Sequence, residues 1–343
     1  MRYIATAGLH RALHIATGER ALHVVARQRL GKGVYRLRLA LDGRIERVVA
    51  KHLTPRAAER NERAARRWLP AVQLERYAPP LLGVAADQHG RGVWHVYEDL
   101  GDGLLDTDDP DLDSVCAVVE AVALIHGRFA DHPLLADCRL HGADLGVHFF
   151  QQNVRDALRA LKAMCAPTIN LQPRDVAVRD RLVAHLSTLL LEEPARSQAL
   201  LELGGPQTLL HGDLWTTNML FLPAERGCQV RLIDWDRAGV GPVCYDLSAF
   251  LLRFPGHHRP AIMALYRAAL GRIGWPLEAD AELNFIFDTC ERARFASCVI
   301  WPALAVLEQG AGWGFDALAA IADWFDALGP VLPTGDGGAC RST

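Results

Sequence analysis

No two of the eight cysteines stand in a C-x-x-C pair. Scattered cysteines suggest neither a zinc site nor a disulfide framework, so a reducing, cytoplasmic setting is expected. A basic excess is also missing. Lys and Arg number 37 against 40 Asp and Glu, a net charge of −3, which argues against nucleic acid as a partner. No apolar run approaches the ~20 residues needed to cross a membrane. The first residues, Met1 to Ala5, hold no long apolar run and are soon followed by His10, Arg11 and His14, which argues against a signal peptide. No internal repeat is evident. What the chain does have is length and apolar content. Its 343 residues, 50% hydrophobic, are enough for a sizeable core and suggest two domains or lobes.

The chain is organised around Leu209-Leu210-His211-Gly212-Asp213-Leu214-Trp215-Thr216-Thr217-Asn218-Met219-Leu220. Apolar residues at both ends enclose a polar loop, which reads as strand, tight loop and strand. A turn at Pro223–Gly227 follows, and a third strand, Gln229 to Ile233, ends on Asp234. Asp213, Asn218 and Asp234 therefore lie at strand ends around one hairpin, where three oxygen ligands could converge. Transfer of phosphate to a hydroxyl needs this set: one Asp to accept the hydroxyl proton, and an Asn and a second Asp to hold Mg2+ against the phosphates. The five-residue step from Asp213 to Asn218 is the spacing of that chemistry. Hard oxygen donors suit Mg2+ better than His or Cys. A purely turn-shaping role for Asp213 and Asn218 is the alternative.

Upstream, the pattern from Leu22 is β. Val34 to Leu39 alternates with period two, and Asp42-Gly43 signals a hairpin into the strand Arg44–Ala50, closed by Lys51. Gly31 and Gly33 flank a loop whose backbone can approach phosphate, since neither has a Cβ. The strand end Val48-Val49-Ala50-Lys51 is where a Lys meets nucleotide phosphates. Pro55 to Leu69 reads as a helix that should offer Lys51 a carboxylate. Glu59 and Glu62 are both candidates, with Glu62 preferred. Glu98-Asp99-Leu100-Gly101 breaks a strand and reads as a hinge whose backbone would hold adenine. The acidic run Asp99 to Asp113 reads as solvated loop and helix N-cap. Leu112 to Ala130 is an apolar helix, and the chain after Asp246 is helical, with a Gly- and Pro-rich tail from Pro330 that is expected to be mobile.

The motifs His211-Gly212-Asp213-x4-Asn218, Ile233-Asp234-Trp235-Asp236 with Gly241-Pro242 and Tyr245-Asp246-Leu247, and Val49-Ala50-Lys51 together resemble the aminoglycoside phosphotransferase and choline kinase-like enzymes. The likeness runs from about Leu22 to Phe250. It implies an α+β, protein-kinase-like two-lobe fold: a small antiparallel β-sheet lobe with one helix over residues 1–99, and a larger, mainly helical lobe over 100–343. It implies ATP and Mg2+ as cofactors, Asp213 as catalytic base, and Asn218 and Asp234 as metal ligands. Lys51 would meet the α/β-phosphates, oriented by Glu62, and Gly31, Gly33, Glu98 and Leu100 would line the nucleotide site. The sequence departs from the pattern at Gly212, where protein kinases have Arg, and at Leu214-Trp215-Thr216-Thr217, where many small-molecule kinases have His-Pro. Trp215 resembles the fructosamine kinase-like and ecdysteroid kinase-like branches. The expected acceptor is a hydroxyl of an aminoglycoside, amino sugar, sugar or choline-like amino alcohol. An amine would be met by Glu282, Asp288, Glu291 or Glu308, and a quaternary ammonium by Phe295, Trp301, Trp313 or Trp324. The alternative is a nucleotide-binding scaffold that transfers no phosphate. A metal-dependent hydrolase fits less well, since no further ligands stand at metal spacing.

Overall fold

The computed structural model describes residues 7–18, 22–165, 171–225, 227–275, 277 and 279–333. The tail from residue 334 onward lies outside them. The chain divides into two compact units that interleave in sequence. One comprises Met1–Ala143 and His211–Gly239, the other Asp144–Leu210 and Val240–Thr343.

In the first unit, alternation builds a sheet. β1 (Leu22–Gly31), β2 (Val34–Leu41), β3 (Arg44–Leu53), β4 (Leu81–Ala86) and β5 (Val93–Glu98) pair antiparallel in the order β1-β2-β3-β5-β4. Asp42 and Gly43 turn β2 into β3 with φ of 48° and 79°, the left-handed pair that a two-residue hairpin requires. One face of the sheet carries Leu37, Leu39, Leu41, Val48, Ala50, Trp94 and Val96, all buried against Leu9, Ala12 and Leu13 of helix α1 (Ala7–Thr17). Each Leu and Val among them contributes about 1.5–3 kcal/mol by leaving water. The helix comes so close to β4 that a Cβ on Gly83 would lie 2.3 Å from the Ala12 carbonyl. Thus α1 adds a second helix to the one expected for the sheet, and β1 runs from Leu22 to Gly31.

The opposite face of the sheet carries Val34, Arg36, Val49, Lys51 and Tyr97. Helix α2 (Pro55–Arg63) opens with Thr54 as cap, its hydroxyl accepting from the Ala57 amide, and with Pro55 in the first turn. A π-turn (Ala64–Trp68) and a short helix α3 (Leu69–Ala71) continue it. Helix α4 (Leu112–Phe129) is capped by Asp111, which accepts from the Ser114 amide at 2.9 Å. This is the N-cap expected of the acidic run. Helix α5 (Leu135–His141) follows.

The second unit is helical around α10 (Asp280–Gln309), which packs against α6 (Val147–Ala163), α7 (Pro173–Glu202), α8 (Cys244–Leu251) and α11 (Trp313–Ala327); α9 is Arg259–Gly271. A short strand β6 (Thr208–Leu210) pairs with β9 (Gly239–Gly241), while β7 (Met219–Pro223) and β8 (Cys228–Leu232) form their own hairpin in the first unit. Among the described residues all seven cysteines are unbridged, and no helix is long and apolar enough to cross a membrane.

Candidate active site

The β7–β8 hairpin positions the polar residues of the central motif. Met219 pairs with Leu232, and the Ile233 amide donates to the Asn218 carbonyl at 2.9 Å. That bond sets Asn218, just before β7, beside the residue that precedes Asp234. Asn218 Nδ2 donates to the Asp213 carbonyl at 2.9 Å and to Asp213 Oδ2 at 3.3 Å, so the loop closes on itself across the five-residue step. The His211 ring is buried against Trp235, and its Nε2–H donates to the Ile233 carbonyl at 2.9 Å. Gly212 adopts φ +80°, and a Cβ there would lie 2.1 Å from the Arg237 carbonyl. This close backbone approach excludes any side chain where protein kinases carry Arg.

Asp234 is held in the left-handed region, φ 68° and ψ 55°, which costs a non-glycine residue ~1–2 kcal/mol. The next amide, of Trp235, donates to Asn61 Oδ1 at 3.0 Å, and Arg60 Nη1 donates to the Asp236 carbonyl at 2.9 Å. These bonds hold the turn in place. Lys51 Nζ reaches Asp234 Oδ1 at 2.6 Å. Asp234 and Asp236 act as a tightly coupled pair. Burial and the hydrogen bond to Asp234 push the Asp236 carboxyl up to about 7. Burial also opposes charge on Asp234, yet the bond from Asp236 and the Lys51 ammonium hold it below the usual carboxylate range. Of the two, Asp236 therefore takes up a proton first as pH falls, and Asp234 keeps its charge.

Lys51 and Asp234 border a cavity of about 420 Å³. Leu30, Val34, Val49, Leu220 and Ile233 give it apolar walls, and Gly31, Glu98 and Leu100 line it as well. Gly31 has open space where a Cβ would project. Gly33 turns the chain between β1 and β2 at φ +75°, and its carbonyl accepts from the His52 amide at 2.8 Å. Beyond the end of β5, Arg36 donates to Asp99, Asp102 and the Gly101 carbonyl, fixing the segment that follows Glu98. Tyr97 lines the cavity, and its hydroxyl shares a hydrogen bond of 2.8 Å with His95 Nδ1. Burial raises the Tyr97 phenol above its ordinary value, so the phenol keeps its proton. Burial, helped by the charges of Arg66 and Lys51, lowers His95 to about 4, so the imidazole is neutral. Its Nε2 is buried without a partner among the described residues.

The donor set fits a hard cation. Both Nδ2 bonds of Asn218 go to Asp213, and Asn218 Oδ1 has no hydrogen-bond partner among the described residues. Asp234 adds a charged carboxylate. Among the described residues no three His, Cys, Asp or Glu converge as a metal site, so Asn218 and Asp234 would leave the other positions to phosphate oxygens and water, as Mg2+ favours.

The expected Lys51–Glu62 pair does not form. Glu62 Oε1 instead accepts from Arg66 one turn on at 2.9 Å, and Glu59 pairs with Arg63 and His141. The reason is the rotation of α2. Its buried face runs through Ala58, Asn61, Ala64 and Trp68, so Asn61 faces the cavity and Glu62 lies about 100° further round. Asn61 and Arg60 escaped the sequence reading, although the apolar stripe Ala58, Ala64 and Trp68 was the signal for the buried face. Arg60 also donates to the His141 and Gly142 carbonyls. In the second unit, Glu291 is buried and accepts from Ser248 at 2.6 Å, and Asp288 pairs with Arg196 and Arg292. Both are committed to internal bonds. Trp301, Trp313 and Trp324 are exposed, and Phe295 packs on Phe325 and Trp324.

A family model described as the phosphotransferase enzyme family matches residues 27–281. The chain belongs to this phosphotransferase family. No curated protein matches it. Solved structures share the fold at low identity. An ethanolamine kinase of Plasmodium vivax aligns with a TM-score of 0.57 at 11% identity, covering 90% of this chain and 82% of that one. An AMP-bound spectinomycin phosphotransferase gives 0.54 at 11% over 89% and 93%. A macrolide 2'-phosphotransferase of Brachybacterium faecium gives 0.52 at 17% over 91% and 97%. The protein-kinase-like α+β fold expected from the motifs is therefore the fold of this phosphotransferase.

Proposed function

We propose that this phosphotransferase moves the γ-phosphoryl group of ATP to a hydroxyl of a small molecule. The observation that carries the reading is the Lys51–Asp234 contact of 2.6 Å at the edge of the cavity, with Asn218 locked onto Asp213 beside it. In this reading the apolar walls take the base of the nucleotide, and the backbone at Glu98 and Leu100 reads its edge. The turn Gly31–Gly33 covers the phosphates and Lys51 neutralises them. Bound AMP in a spectinomycin phosphotransferase of this fold supports a nucleotide in the cavity. Residues 1–99 supply Gly31, Gly33, Lys51 and Glu98, and 100–343 supply Leu100, the walls Leu220 and Ile233, and Asp213, Asn218 and Asp234.

Asn218 and Asp234 are the residues that would hold Mg2+, which supplies charge neutralisation of the phosphates when bound. Asp213 takes the proton as the acceptor oxygen forms its bond to phosphorus and the bond to the ADP oxygen breaks. Its rotamer is fixed by the Asn218 amide. Glu62, tied to Arg66, has no part in this scheme.

The test is a screen of amines, amino alcohols, sugars, aminoglycosides and macrolides for ATP-dependent phosphorylation. Asp213→Ala should lower turnover of any hit by about 10²–10⁴-fold while nucleotide binding persists. Nucleotide binding without transfer to any acceptor would favour the scaffold reading. Turnover within about threefold of wild type in Asp213→Ala would remove Asp213 from the mechanism.

A further inference from the structure

Residues 22–53 hold eight Lys or Arg against two acids, Asp42 and Glu46, a net of +6 in a chain whose total is −3. Strand register gathers part of this charge in one place. Arg38 on β2 stands directly opposite Arg47 on β3. Gln28 and Arg36 form a neighbouring row across β1 and β2. A register shift between Val24 and Ala26 interrupts the β1–β2 pairing beside them. The result is a hollow of about 260 Å³ lined by Ala26, Arg27, Gln28, Arg36, Arg38 and Arg47. Three of these six, Arg36, Arg38 and Arg47, bring their charge to this face and none is an acid; Arg27 pairs with core Leu37, so its guanidinium projects from the other face.

The four arginines differ in what holds them. The Arg27 guanidinium lies 3.4 Å over the Tyr35 ring. Arg36 is engaged by Asp99 and Asp102. Arg38 and Arg47 are exposed, and neither has a hydrogen bond, ion pair or ring contact among the described residues. Glu46 cannot serve them. It pairs with Leu39, whose side chain is in the core, so Glu46 projects from the other face. Like charges directly opposite each other weaken an antiparallel pair. Among the described residues no anion pairs with either arginine to relieve that repulsion.

We propose that this hollow is a second anion site, beside the nucleotide cavity and sharing only Arg36 with it, that binds a small phosphate-bearing ligand. Two guanidinium forks match the oxygens of a phosphate, each able to bond it bidentately. A lone carboxylate brings one charge to two cations, whereas a phosphate dianion balances both. The volume is several times the ~30 Å³ that one water occupies in the liquid, which admits pyrophosphate or a phosphate monoester. The inference is independent of the proposed kinase chemistry, since Arg38 and Arg47 take no part in it.

The experiment is calorimetric titration of pyrophosphate, without divalent cations, into the full chain carrying Lys51→Met. That substitution removes the main cation of the nucleotide cavity. One equivalent should bind. Adding Arg38→Gln and Arg47→Gln should weaken binding tenfold or more, and Arg38→Lys with Arg47→Lys should give an intermediate loss because charge remains and the forks do not. Both positions are exposed, so these variants should keep the wild-type circular dichroism. A parallel titration with glucose phosphate and with anionic lipid vesicles identifies the phosphate source. Absence of binding, unchanged affinity in the double Gln variant, several equivalents per chain, or binding to vesicles alone would overturn the proposal.

Discussion

Two residues near the site carry costs that can be measured. Gly212 combines φ +80° with backbone contact at the place where a Cβ would fall. Gly212→Ala adds the left-handed cost of an L-residue to an overlap that no rotamer can relieve. The expected loss is about 2–4 kcal/mol, read from the urea midpoint. A change below about 0.5 kcal/mol would mean that the Arg237 carbonyl moves away freely. His95 is the second. Its folded value of about 4 lies below the 6.5 of a free imidazole, so the unfolded chain binds a proton that the folded chain refuses. Its contribution is complete above pH 6.5, declines as pH falls toward 4, and changes no further below that. The total is of the order of 3 kcal/mol. Denaturation midpoints at pH 7.5, 5.5 and 4.5 should fall less steeply in His95→Gln than in wild type, and parallel slopes would place the acid sensitivity elsewhere.

Among the elements, α2 links the sheet to the turn that holds Asp234. It does so through neutral hydrogen bonds and one arginine: Asn61 takes the Trp235 amide, and Arg60 caps three carbonyls, of His141, Gly142 and Asp236. Removing Asn61 leaves a buried amide unpaired, which costs about 1–3 kcal/mol, and frees Asp234 to leave its strained conformation. Asn61→Ala should therefore raise the KM for Mg-ATP about tenfold with a smaller effect on kcat. Glu62→Gln breaks only a partly exposed i,i+4 pair with Arg66, worth about 0.3–0.5 kcal/mol, and should leave both constants within about twofold. The opposite ranking would restore Glu62 as the residue that orients Lys51.

On the scale of the whole molecule, ligand binding should register as stability. At a nucleotide concentration of about 100 times Kd, mass action stabilises by ~2.7 kcal/mol, and for a unit of this size that corresponds to a rise of about 5–10 °C in Tm. Mg-ATP should produce such a rise in wild type and only a small fraction of it in Asp234→Ala at equal ligand. An equal rise in both proteins would place the nucleotide and its metal away from Asp234.

The sequence by itself determined what is local. The five-residue step Asp213–Asn218, the Asp42-Gly43 turn, the Lys at the end of an alternating strand and the Asp111 cap each depend on neighbours a few residues away, and all of them stand in the structure as elements of the expected kind. Strand pairing, helix rotation and long-range charge contacts were decided only by tertiary structure. β6 reads like the first arm of the hairpin, yet it pairs with β9, because a three-residue strand takes whichever edge packing brings to it. The side of α2 that meets Asp234 follows from burying Ala58, Ala64 and Trp68, and a rotation of about 100° exchanges Glu62 for Asn61. The Lys51–Asp234 contact joins residues 183 apart, and the raised proton affinity of Asp236 depends on burial and on its bond to Asp234. No spacing in the sequence encodes either, because both arise from charges that only the folded chain brings within reach.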